Sequence, residues 1–342
     1  MLRLMLTAVV AALIAGLPFV AAQDKEKPKT PPRIAVDDPA KLKDDVDFAL
    51  QGEYEGIVTE EGEEGKIGLQ VIALGNQTFT ICTYKYGLPG TTGKVELMSR
   101  EDRIPRESDR IVFVPKATKQ QLLIQNGKAV FSGEKRYLQG ELKKVVRTLP
   151  TLAAKPPEGA VVLFAAAGDE KNWQGGKLVK LPDGEFLNTG IKTLKAFTNF
   201  TAHVEFRLPW MPNARGQGRG NSGVYLQDRY EVQVLDSFGL KGENNECGGI
   251  YTQYKPLVNM CLPPLTWQTY DIDFTAAKFD ADGKKTAGAR LTLKHNGVLI
   301  HDNVELKGST GGGQPEKPTP GPFQLQNHGD PVVFRNIWVV EK

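Results

Sequence analysis

The sequence predicts an all-β protein in which a β-sandwich or jelly roll follows a smaller, mainly β domain. Short segments rich in β-branched and aromatic residues recur along the chain. Gly and Pro are frequent, at 36 and 22 of 342 residues, which suits a chain with many turns. No segment of the second half has helical periodicity over about ten residues. Many short strands between turn signals are typical of sandwiches and jelly rolls.

The N-terminus has the pattern of an export signal. Arg3 precedes an apolar run from Leu4 to Val20, and small residues follow before Gln23. We predict a signal peptide over residues 1–22; a membrane anchor is the alternative, although a run of about 17 residues is at the short limit for a span. The Pro- and Lys-rich residues 23–40 are expected to form a flexible leader. The mature protein is therefore expected to be periplasmic or extracellular and free of the membrane.

A first folded segment is predicted over residues 41–147. It contains several short β-rich runs, and Asn126-Gly127 between two of them is a signal for a tight hairpin. Only residues 38–50 have a helical pattern, with Asp38 as a candidate N-cap ahead of Pro39. This segment has no His and no acidic pair at a convincing spacing, so the sequence does not indicate its role.

A Pro-rich linker over residues 148–158 leads to a second domain over residues 159–342. The second domain holds all four His and all four Trp residues of the chain. Its strand-like segments recur to the C-terminus, and Asn296-Gly297 marks another tight hairpin. We therefore expect the functional site in this half.

Charge does not support a polyanionic partner. The chain has 43 basic and 40 acidic residues, mixed along its length, and a formal net charge of +3. Neither nucleic acid nor an anionic membrane surface is expected as the main partner. The sequence gives no indication of the oligomeric state.

The three cysteines are expected to meet oxidising conditions after export. Cys247 and Cys261 lie 14 positions apart, and we predict a disulfide between them. A loop of that size would stabilise the fold by about 3 kcal/mol in the chain-entropy description. Cys82, in an alternating strand-like segment, is expected to be a buried free thiol.

Several predicted strands have one apolar face and one face of large polar groups, because side chains alternate along a strand. Amide, imidazole and hydroxyl groups suit sugar hydroxyls, which need paired donors and acceptors. An ordinary solvated sheet face is the alternative. The candidate sugar-contacting residues on these strands are His203, Asn221, Tyr225, Glu231, Gln233, Gln326 and His328.

The segment RYEVQVLD carries the candidate carboxylate pair. Glu231 and Gln233 share a face, and Asp236 joins them only if a β-bulge re-aims it. Two carboxylates on one face could act as acid and base. The alternative is that Asp236 starts the following turn through a bond from its side chain to the backbone.

Five motifs in the second half occur in an order that resembles one known family. They are GNSGVYLQDRYEVQVLDSFG, GGIYTQYKPLVNMC, LTWQTYDIDF, HNGVLIHDNVEL and GPFQLQNHGDPVVFRNIWV. Together they resemble the 3-keto-disaccharide hydrolases, which are also described as 3-keto-glucoside 1,2-lyases and 3-keto-2-hydroxy-glucal hydratases. The resemblance covers about residues 159–342 and implies a concanavalin A-like jelly roll, the fold of laminarinase-type glucanases. Those enzymes carry a Glu-x-Asp-x-x-Glu strand, whereas this chain has Gln233 at the middle position.

The resemblance implies an activity that does not need a second carboxylate. A ketone at carbon 3 acidifies the hydrogen on carbon 2, a base removes it, the group on carbon 1 leaves, and water adds back. The candidate bases are Glu231, Asp236 and His328. Asn221, Gln326 and Arg335 are candidates for holding the oxyanion or hydroxyls; alternatively, His328 caps a turn and Arg335 pairs with a carboxylate at the core edge.

Trp210 lies in a Gly-rich segment before the predicted site strands and is a candidate lid or sugar-stacking residue. No cofactor is assigned; a divalent metal on carboxylate and His ligands is compatible with the chemistry, but no ligand spacing is diagnostic. We expect an exported carbohydrate-active enzyme that acts on 3-keto-glycosides. The main alternative is a non-catalytic, lectin-like binding module, since the fold hosts both; a scaffold or cell-surface interaction protein is a third reading.

Overall fold

The computed structural model describes residues 34–342 except 117, 119 and 134–137. The predicted signal peptide, residues 1–22, and most of the leader lie outside the described residues. The segment with a helical pattern is divided in two: Asp38 caps a 3-10 helix over Pro39–Leu42, and Asp45 caps helix α1 over Val46–Leu50. The other 3-10 helices of the described chain span Asp169–Asn172 and Gly216–Gly218. None of the described helices is long and apolar enough to cross a membrane.

The first half folds into a closed antiparallel barrel, in which the first strand pairs with both the second and the eighth. The predicted Asn126-Gly127 hairpin is confirmed, because both residues have positive φ in the tight turn that joins two barrel strands. The strands are β1 Gly52–Glu60, β2 Glu63–Gly75, β3 Thr78–Lys85, β4 Glu96–Glu107, β5 Arg110–Phe113, β6 Gln121–Gln125, β7 Lys128–Ser132 and β8 Gln139–Val145.

The second half contains two antiparallel sheets, as the all-β prediction required. The smaller sheet has the order β10-β13-β22-β15-β16. Its strands are β10 Trp173–Gln174, β13 Ile191–Phe197, β15 Asn221–Leu226, β16 Tyr230–Leu235 and β22 Gly321–Leu325. The strands β15 and β16 form a hairpin in regular register from Asn221 opposite Leu235 to Leu226 opposite Tyr230.

The larger sheet has the order β11-β12-β23-β14-β17-β20-β21, and β9 also pairs with β23. The last strand of the chain therefore lies inside the sheet, between β12 and β14. The strands are β9 Val161–Phe164, β11 Leu178–Leu181, β12 Gly184–Leu187, β14 Phe200–Arg207, β17 Trp267–Thr275, β20 Arg290–His295, β21 Val298–Glu305 and β23 Val333–Glu341; β18 Lys278–Phe279 and β19 Lys285–Ala287 pair separately.

The two sheets enclose one hydrophobic core and form a β-sandwich, the architecture that the sequence predicted. Phe200 of β14 packs against Phe323 of β22 across the core, with ring centroids 4.9 Å apart. Val232 and Val234 of β16 point into the same core, as their alternation predicted. The opposite face of β16, which carries Glu231 and Gln233, is thereby turned away from the core.

The barrel and the sandwich belong to one compact unit of residues 33–342. Three barrel side chains, Ile72, Cys82 and Tyr84, are part of the hydrophobic cluster of the sandwich. The Arg100 Nη1 atom of β4 also donates to the Gly239 carbonyl, at 2.8 Å. The barrel thus covers part of the sandwich surface.

The linker runs across the face of the larger sheet that is turned away from the core. The Thr151 hydroxyl donates to Asp271 Oδ2 at 2.7 Å, and the Ala153 N–H donates to Glu205 Oε1 at 2.5 Å. Asn336 Nδ2 of β23 donates to the Ala154 carbonyl at 3.0 Å. These bonds attach the linker to the sheet strands β14, β17 and β23.

Candidate functional site

A cleft of about 210 Å³ lies over β15 and β16 on the face turned away from the sandwich core. Cross-strand pairing places Tyr225 opposite Glu231 and Gly223 opposite Gln233. The cleft is lined by Gln217, Asn221, Tyr225, Glu231, Gln233, Tyr251, Gly311, Gly312, Gln326 and His328. Six of the side chains proposed from the sequence are therefore brought together.

Glu231 is the carboxylate of this cleft and is almost completely buried, with 2% exposure. Burial raises the pKa of Glu231 to about 7, and a hydrogen bond from Tyr225 opposes the rise. Its Oε2 atom lies 2.9 Å from the Tyr225 hydroxyl, while Oε1 lies above Gly223, where an added Cβ would approach to 2.2 Å. Only glycine at position 223 leaves room for this orientation of the carboxylate.

The Tyr225 hydroxyl faces two acceptors. It lies 2.9 Å from Glu231 Oε2 and 2.7 Å from the Gly311 carbonyl, but it has one hydrogen to donate. When Glu231 is protonated, the carboxyl group can donate to Tyr225, which then donates to Gly311. The cleft therefore accommodates the protonated form of Glu231 without a change in side-chain positions.

Three amide oxygens of the cleft have no hydrogen-bond partner among the described residues. They belong to Asn221, Gln233 and Gln326, and the first two side chains are each 1% exposed. The amide nitrogens of Asn221 and Gln233 are fixed by Gln217, which accepts from them at 3.2 and 2.9 Å. Buried acceptors without donors are costly, so these oxygens suit a ligand that supplies hydroxyl donors.

The rim of the cleft is formed by loops. Tyr251 and the Gly311-Gly312 segment stand beside Tyr225, and a Cβ at Gly312 would meet the Tyr225 hydroxyl at 2.9 Å. His328 is exposed at the rim. It does not cap the turn that follows; Asn327 Oδ1 accepts from the Gly329 N–H at 2.9 Å instead.

Asp236 does not join Glu231 in the cleft, so the predicted carboxylate pair is wrong. The hairpin has no bulge, because each residue of β16 has its regular partner on β15. Asp236 pairs instead with Arg219, whose Nε lies 2.6 Å from Oδ2, and its Oδ1 accepts from the Phe238 N–H at 3.3 Å. The alternative of a turn bonded through the Asp236 side chain is therefore the correct one.

Trp210 is neither a lid nor a stacking residue, which corrects the prediction. Its side chain is 2% exposed and belongs to the core cluster of the barrel. It packs edge-to-face on Phe48 of α1 at 5.2 Å, and its backbone pairs with Val36. Burying a large aromatic surface between the barrel and the leader explains this placement.

His203 and Arg335 lie on the larger sheet, away from the cleft, so the structure does not bring them together with the other predicted sugar-contacting residues. His203 lies between two carboxylates, 2.7 Å from Asp271 and 3.3 Å from Glu205. Arg335 Nε donates to Glu205 at 2.7 Å, which is the alternative role given to it above. Burial favours the neutral forms, but these partners outweigh it: the pKa of His203 is raised and that of Glu205 is lowered to about 2.

The predicted disulfide is not formed in the structure. Cys247 and Cys261 are buried free thiols, as is Cys82, for which a free thiol was expected. The Cys247 sulfur lies 3.2 Å from the Tyr270 hydroxyl, and Cys261 donates to the Leu235 carbonyl at 3.5 Å. The two thiols also lie within hydrogen-bonding reach of each other, so the structure places the predicted disulfide partners side by side.

Sequence reasoning missed Gln217, Gly223, Tyr251 and the Gly311-Gly312 segment. Gln217 lies between two glycines in a 3-10 turn, and the other rim residues lie in irregular loops, where strand alternation gives no signal. Gly223 lies opposite Gln233, and its contact with the Glu231 carboxylate is diagonal across the hairpin, so cross-strand pairing alone does not reveal it. Within residues 34–342, apart from 117, 119 and 134–137, no three His, Cys, Asp or Glu side chains are grouped to hold a metal ion.

A β-sandwich cleft that gathers amide, hydroxyl and carboxyl groups has the paired donors and acceptors that sugar hydroxyls need. Residues 159–340 match the family described as the 3-keto-alpha-glucoside-1,2-lyase-like domain. The match covers more than half of the chain, so the protein belongs to this family. A comparison with curated proteins gave no match.

Solved structures with similarity to the chain include two from Parabacteroides distasonis, both presumptive glycosyl hydrolases. The first has 34% sequence identity and a TM-score of 0.47, and the match covers 54% of this chain and 85% of the first protein. The second has 17% sequence identity and a TM-score of 0.38, and the match covers 58% of this chain and 98% of the second protein. A carbohydrate-binding module from Bacillus subtilis has 13% sequence identity and a TM-score of 0.28, and the match covers 48% of this chain and 93% of the module.

Proposed function

We propose that this protein is an exported enzyme that cleaves 3-keto-glycosides by removing the proton on carbon 2 of the oxidised sugar. The observation that carries the proposal is Glu231: a buried carboxyl group with a pKa of about 7, alone among the cleft-lining residues in being acidic. A base with a pKa near the working pH is the most effective for proton transfer. A glycosidase that acts through two carboxylates would need a second one about 5 to 10 Å away, and Asp236 does not lie in the cleft.

In the proposed reaction, Glu231 Oε1 accepts the carbon-2 proton, and the electrons of that C–H bond form a C2=C3 enolate. The enolate collapses, the C3=O bond is restored, a C1=C2 bond forms, and the C1–O bond to the leaving group breaks. The leaving oxygen takes a proton from water, Glu231 returns its proton to the solvent, and the product is an unsaturated 3-keto sugar. Addition of water, with hydroxyl to carbon 1 and hydrogen to carbon 2, then gives the free 3-keto sugar and completes a net hydrolysis.

Other cleft residues have roles that follow from their partners. The unpaired amide oxygens of Asn221, Gln233 and Gln326 would accept from sugar hydroxyls. The enolate oxygen needs a donor, and we assign this role to Gln326 Nε2 and to His328 at the rim. Tyr225 would hold the other carboxyl oxygen, Oε2, by donating to it at 2.9 Å, and so keep Oε1 in position to accept the proton.

The test compares a 3-keto-glucoside with the unoxidised glucoside, each incubated with the purified protein and analysed by NMR for products. We expect turnover of the 3-keto compound, and a primary isotope effect of several-fold when carbon 2 carries deuterium. The Glu231→Gln variant serves as the inactive control. Cleavage of the plain glucoside without such an isotope effect would contradict the mechanism.

A lectin-like binding module is the second candidate, because unpaired acceptors in a cleft would also serve a binder. Saturable binding of the 3-keto-glucoside or glucoside by calorimetry, without products after prolonged incubation, would favour that function. Neither binding nor turnover would contradict both candidates.

Export is the further part of the proposal, and it is supported by the sequence pattern of residues 1–22. The mature protein, isolated from the native cells, should begin near Gln23 and be recovered outside the cytoplasm. A retained Met1 in the membrane fraction would contradict cleavage.

A further inference from the structure

A second cavity, of about 270 Å³, lies where the barrel meets the sandwich. Its charged lining residues are Arg100, Asp102 and Arg103 from β4, and Arg215, Arg219 and Asp236 from the sandwich. Four guanidinium groups thus face two carboxylates. The volume is just below the roughly 300 Å³ at which pockets for drug-sized ligands begin, so it suits a small ligand.

Both carboxylates already have partners. Asp102 Oδ1 accepts from the Thr80 hydroxyl at 2.6 Å and lies 3.2 Å from Arg100 Nε. Asp236 is held by Arg219 and by the Phe238 N–H, as described above. Arg103 and Arg215 have no carboxylate within ion-pair distance among the described residues, so the cavity keeps an excess of positive charge.

Arg219 presents an unused donor. The residue is 6% exposed, and its Nη2 atom is buried without a hydrogen-bond partner in the described part of the chain. Guanidinium nitrogens have no acceptor capacity, so only an acceptor can satisfy this atom. Burial lowers the pKa of Arg215, and the nearby positive charges of Arg219 and Arg103 lower it further.

The backbone at Arg103 is also unusual. The residue has a φ of 60°, in the left-handed region, and the β3–β4 register shifts next to it. A bulge of this kind re-aims side chains, and a strained non-glycine residue persists only where the surroundings hold it. The side chain of Arg103 is thereby brought to the cavity instead of following the regular alternation of β4.

We propose that this cavity is a binding site for a small oxyanion, either an inorganic one or the carboxylate of an acidic sugar. Arg103 and Arg219 would contact it directly, with Arg100 and Arg215 supplying further positive charge. Bidentate pairing of planar guanidinium groups with carboxylate, sulfate or phosphate oxygens is the geometry that arginine favours. Because β4 supplies two of the four arginines, the site requires the barrel as well as the sandwich.

Isothermal titration calorimetry on the full mature chain tests the proposal. Sodium sulfate, sodium phosphate and sodium glucuronate are titrated separately at low ionic strength, with sodium chloride of equal ionic strength as the reference. We expect saturable binding of at least one oxyanion, which weakens as salt is added. If glucuronate binds most tightly, the ligand type is a sugar carboxylate. If sulfate or phosphate binds most tightly, the ligand type is an inorganic oxyanion.

Two variants and a control locate the site. Arg103→Gln removes an exposed charge and should weaken binding by about 2- to 5-fold. Arg219→Lys keeps a charge for Asp236 but loses the planar fork, and should weaken binding by about tenfold or more. Arg110→Gln, an exposed residue of β5 outside the cavity, should bind as wild type.

The proposal is overturned if no oxyanion gives saturable heat beyond the chloride reference. It is also overturned if Arg103→Gln and Arg219→Lys bind as tightly as Arg110→Gln. If Arg219→Lys fails to fold, the oxyanion affinities of Arg103→Gln and Arg110→Gln still decide whether the cavity is the binding site. The Glu231→Gln variant should bind the oxyanion normally, because Glu231 lies in the other cavity.

Discussion

At the scale of single residues, the properties of Glu231 follow from where β16 places it. A carboxyl group on a strand face is ordinarily solvated, but the loops around Tyr251 and Gly311 cover this one. It has no cationic partner in the described chain, so desolvation dominates and its pKa rises to about 7. The same burial that makes the charged group costly brings its pKa near neutral, as the proposed role of a base requires.

We expect Glu231→Gln to lower kcat by a factor of about 100 or more, because proton abstraction by a positioned base contributes a factor of that size. The amide is nearly isosteric and removes a buried charge, so the melting temperature should not fall. Steady-state kinetics on the 3-keto-glucoside measure the effect. Wild-type turnover in a folded Glu231→Gln protein would exclude Glu231 as the base.

The raised pKa also predicts a dependence of stability on pH. In the unfolded chain Glu231 titrates near 4.5, and in the folded chain near 7, so the folded state binds the extra proton between these values. The free energy of unfolding should therefore fall as pH rises from 4.5 through 7, by about 3 kcal/mol from this group. Denaturant unfolding of wild type and Glu231→Gln at several pH values should show this slope in the wild type and its loss in the variant.

Asp236 should behave differently from Glu231. Replacing it with Asn leaves Arg219 buried without its ion-pair partner, which we expect to lower the free energy of unfolding by about 3 to 5 kcal/mol. The kcat of the protein that remains folded should change little, because Asp236 does not line the cleft. Urea unfolding and kinetics on the same sample separate the two effects, and a large loss of kcat at unchanged stability would contradict the assignment.

Strand alternation explains which residues could be predicted. It placed Glu231, Gln233 and Gln326 on the polar side of their strands correctly, because a period of two is visible in sequence. The same rule placed His203 on a polar face but did not reveal which of the two sheets its strand joins, and Arg335, proposed from the resemblance, lies on that same larger sheet. Trp210 was misplaced because the barrel surface that buries it is distant in sequence.

At the scale of elements, the β15–β16 hairpin holds the cleft, and Gly223 sets its depth. We expect Gly223→Ala to displace the Glu231 carboxylate, because the new Cβ would lie 2.2 Å from Oε1. Misplacement of about 1 Å can cost up to a factor of about 100 in rate, so kcat should fall 10- to 100-fold.

The fold should tolerate the Gly223→Ala change, because Gly223 does not have positive φ and the clashing atom is the end of a side chain. Gly65→Ala in β2, where an added Cβ meets nothing within 4 Å, is the matched control and should retain full activity. Equal activity of both variants would show that the carboxylate position is not critical.

Hairpins were the most predictable elements. Both Asn-Gly turns form as expected, because these residues adopt positive φ readily. The β15–β16 turn uses Gln227 and Asp228, both with positive φ, and neither Gly nor Asn marks it. Its conformation is held by tertiary bonds, including Gln227 Nε2 to the Phe197 carbonyl at 2.9 Å and Lys192 to Asp228 at 2.7 Å, which sequence patterns do not show.

At the scale of the whole molecule, the linker is part of the sandwich structure as well as a connection. A fragment of residues 148–342 keeps the bonds from Thr151 and Ala153 to the larger sheet, whereas a fragment of residues 159–342 leaves Glu205, His203 and Asp271 uncovered. We expect the shorter fragment to melt several degrees lower, and both to keep the cleft, whose lining residues all lie between 217 and 328.

Differential scanning calorimetry and turnover of the 3-keto-glucoside compare the two fragments. Equal melting temperatures would show that the linker contributes nothing to the sheet. Loss of activity in both fragments, with the full chain active, would show that the barrel takes part in catalysis, contrary to the prediction that residues 159–342 hold the site alone.

The position of β23 has a consequence for the order in which the chain folds during synthesis. The barrel has all of its strands once residue 145 has left the ribosome, and it can close then. The larger sheet cannot be completed at that point, because strand β23, Val333–Glu341, must first enter between β12 and β14. At 5 to 20 residues per second, roughly 10 to 40 s separate these two moments. From the moment β17 pairs with it until Val333–Glu341 arrives, β14 therefore has one unpaired edge, and a chain truncated before Val333 would keep that edge open permanently.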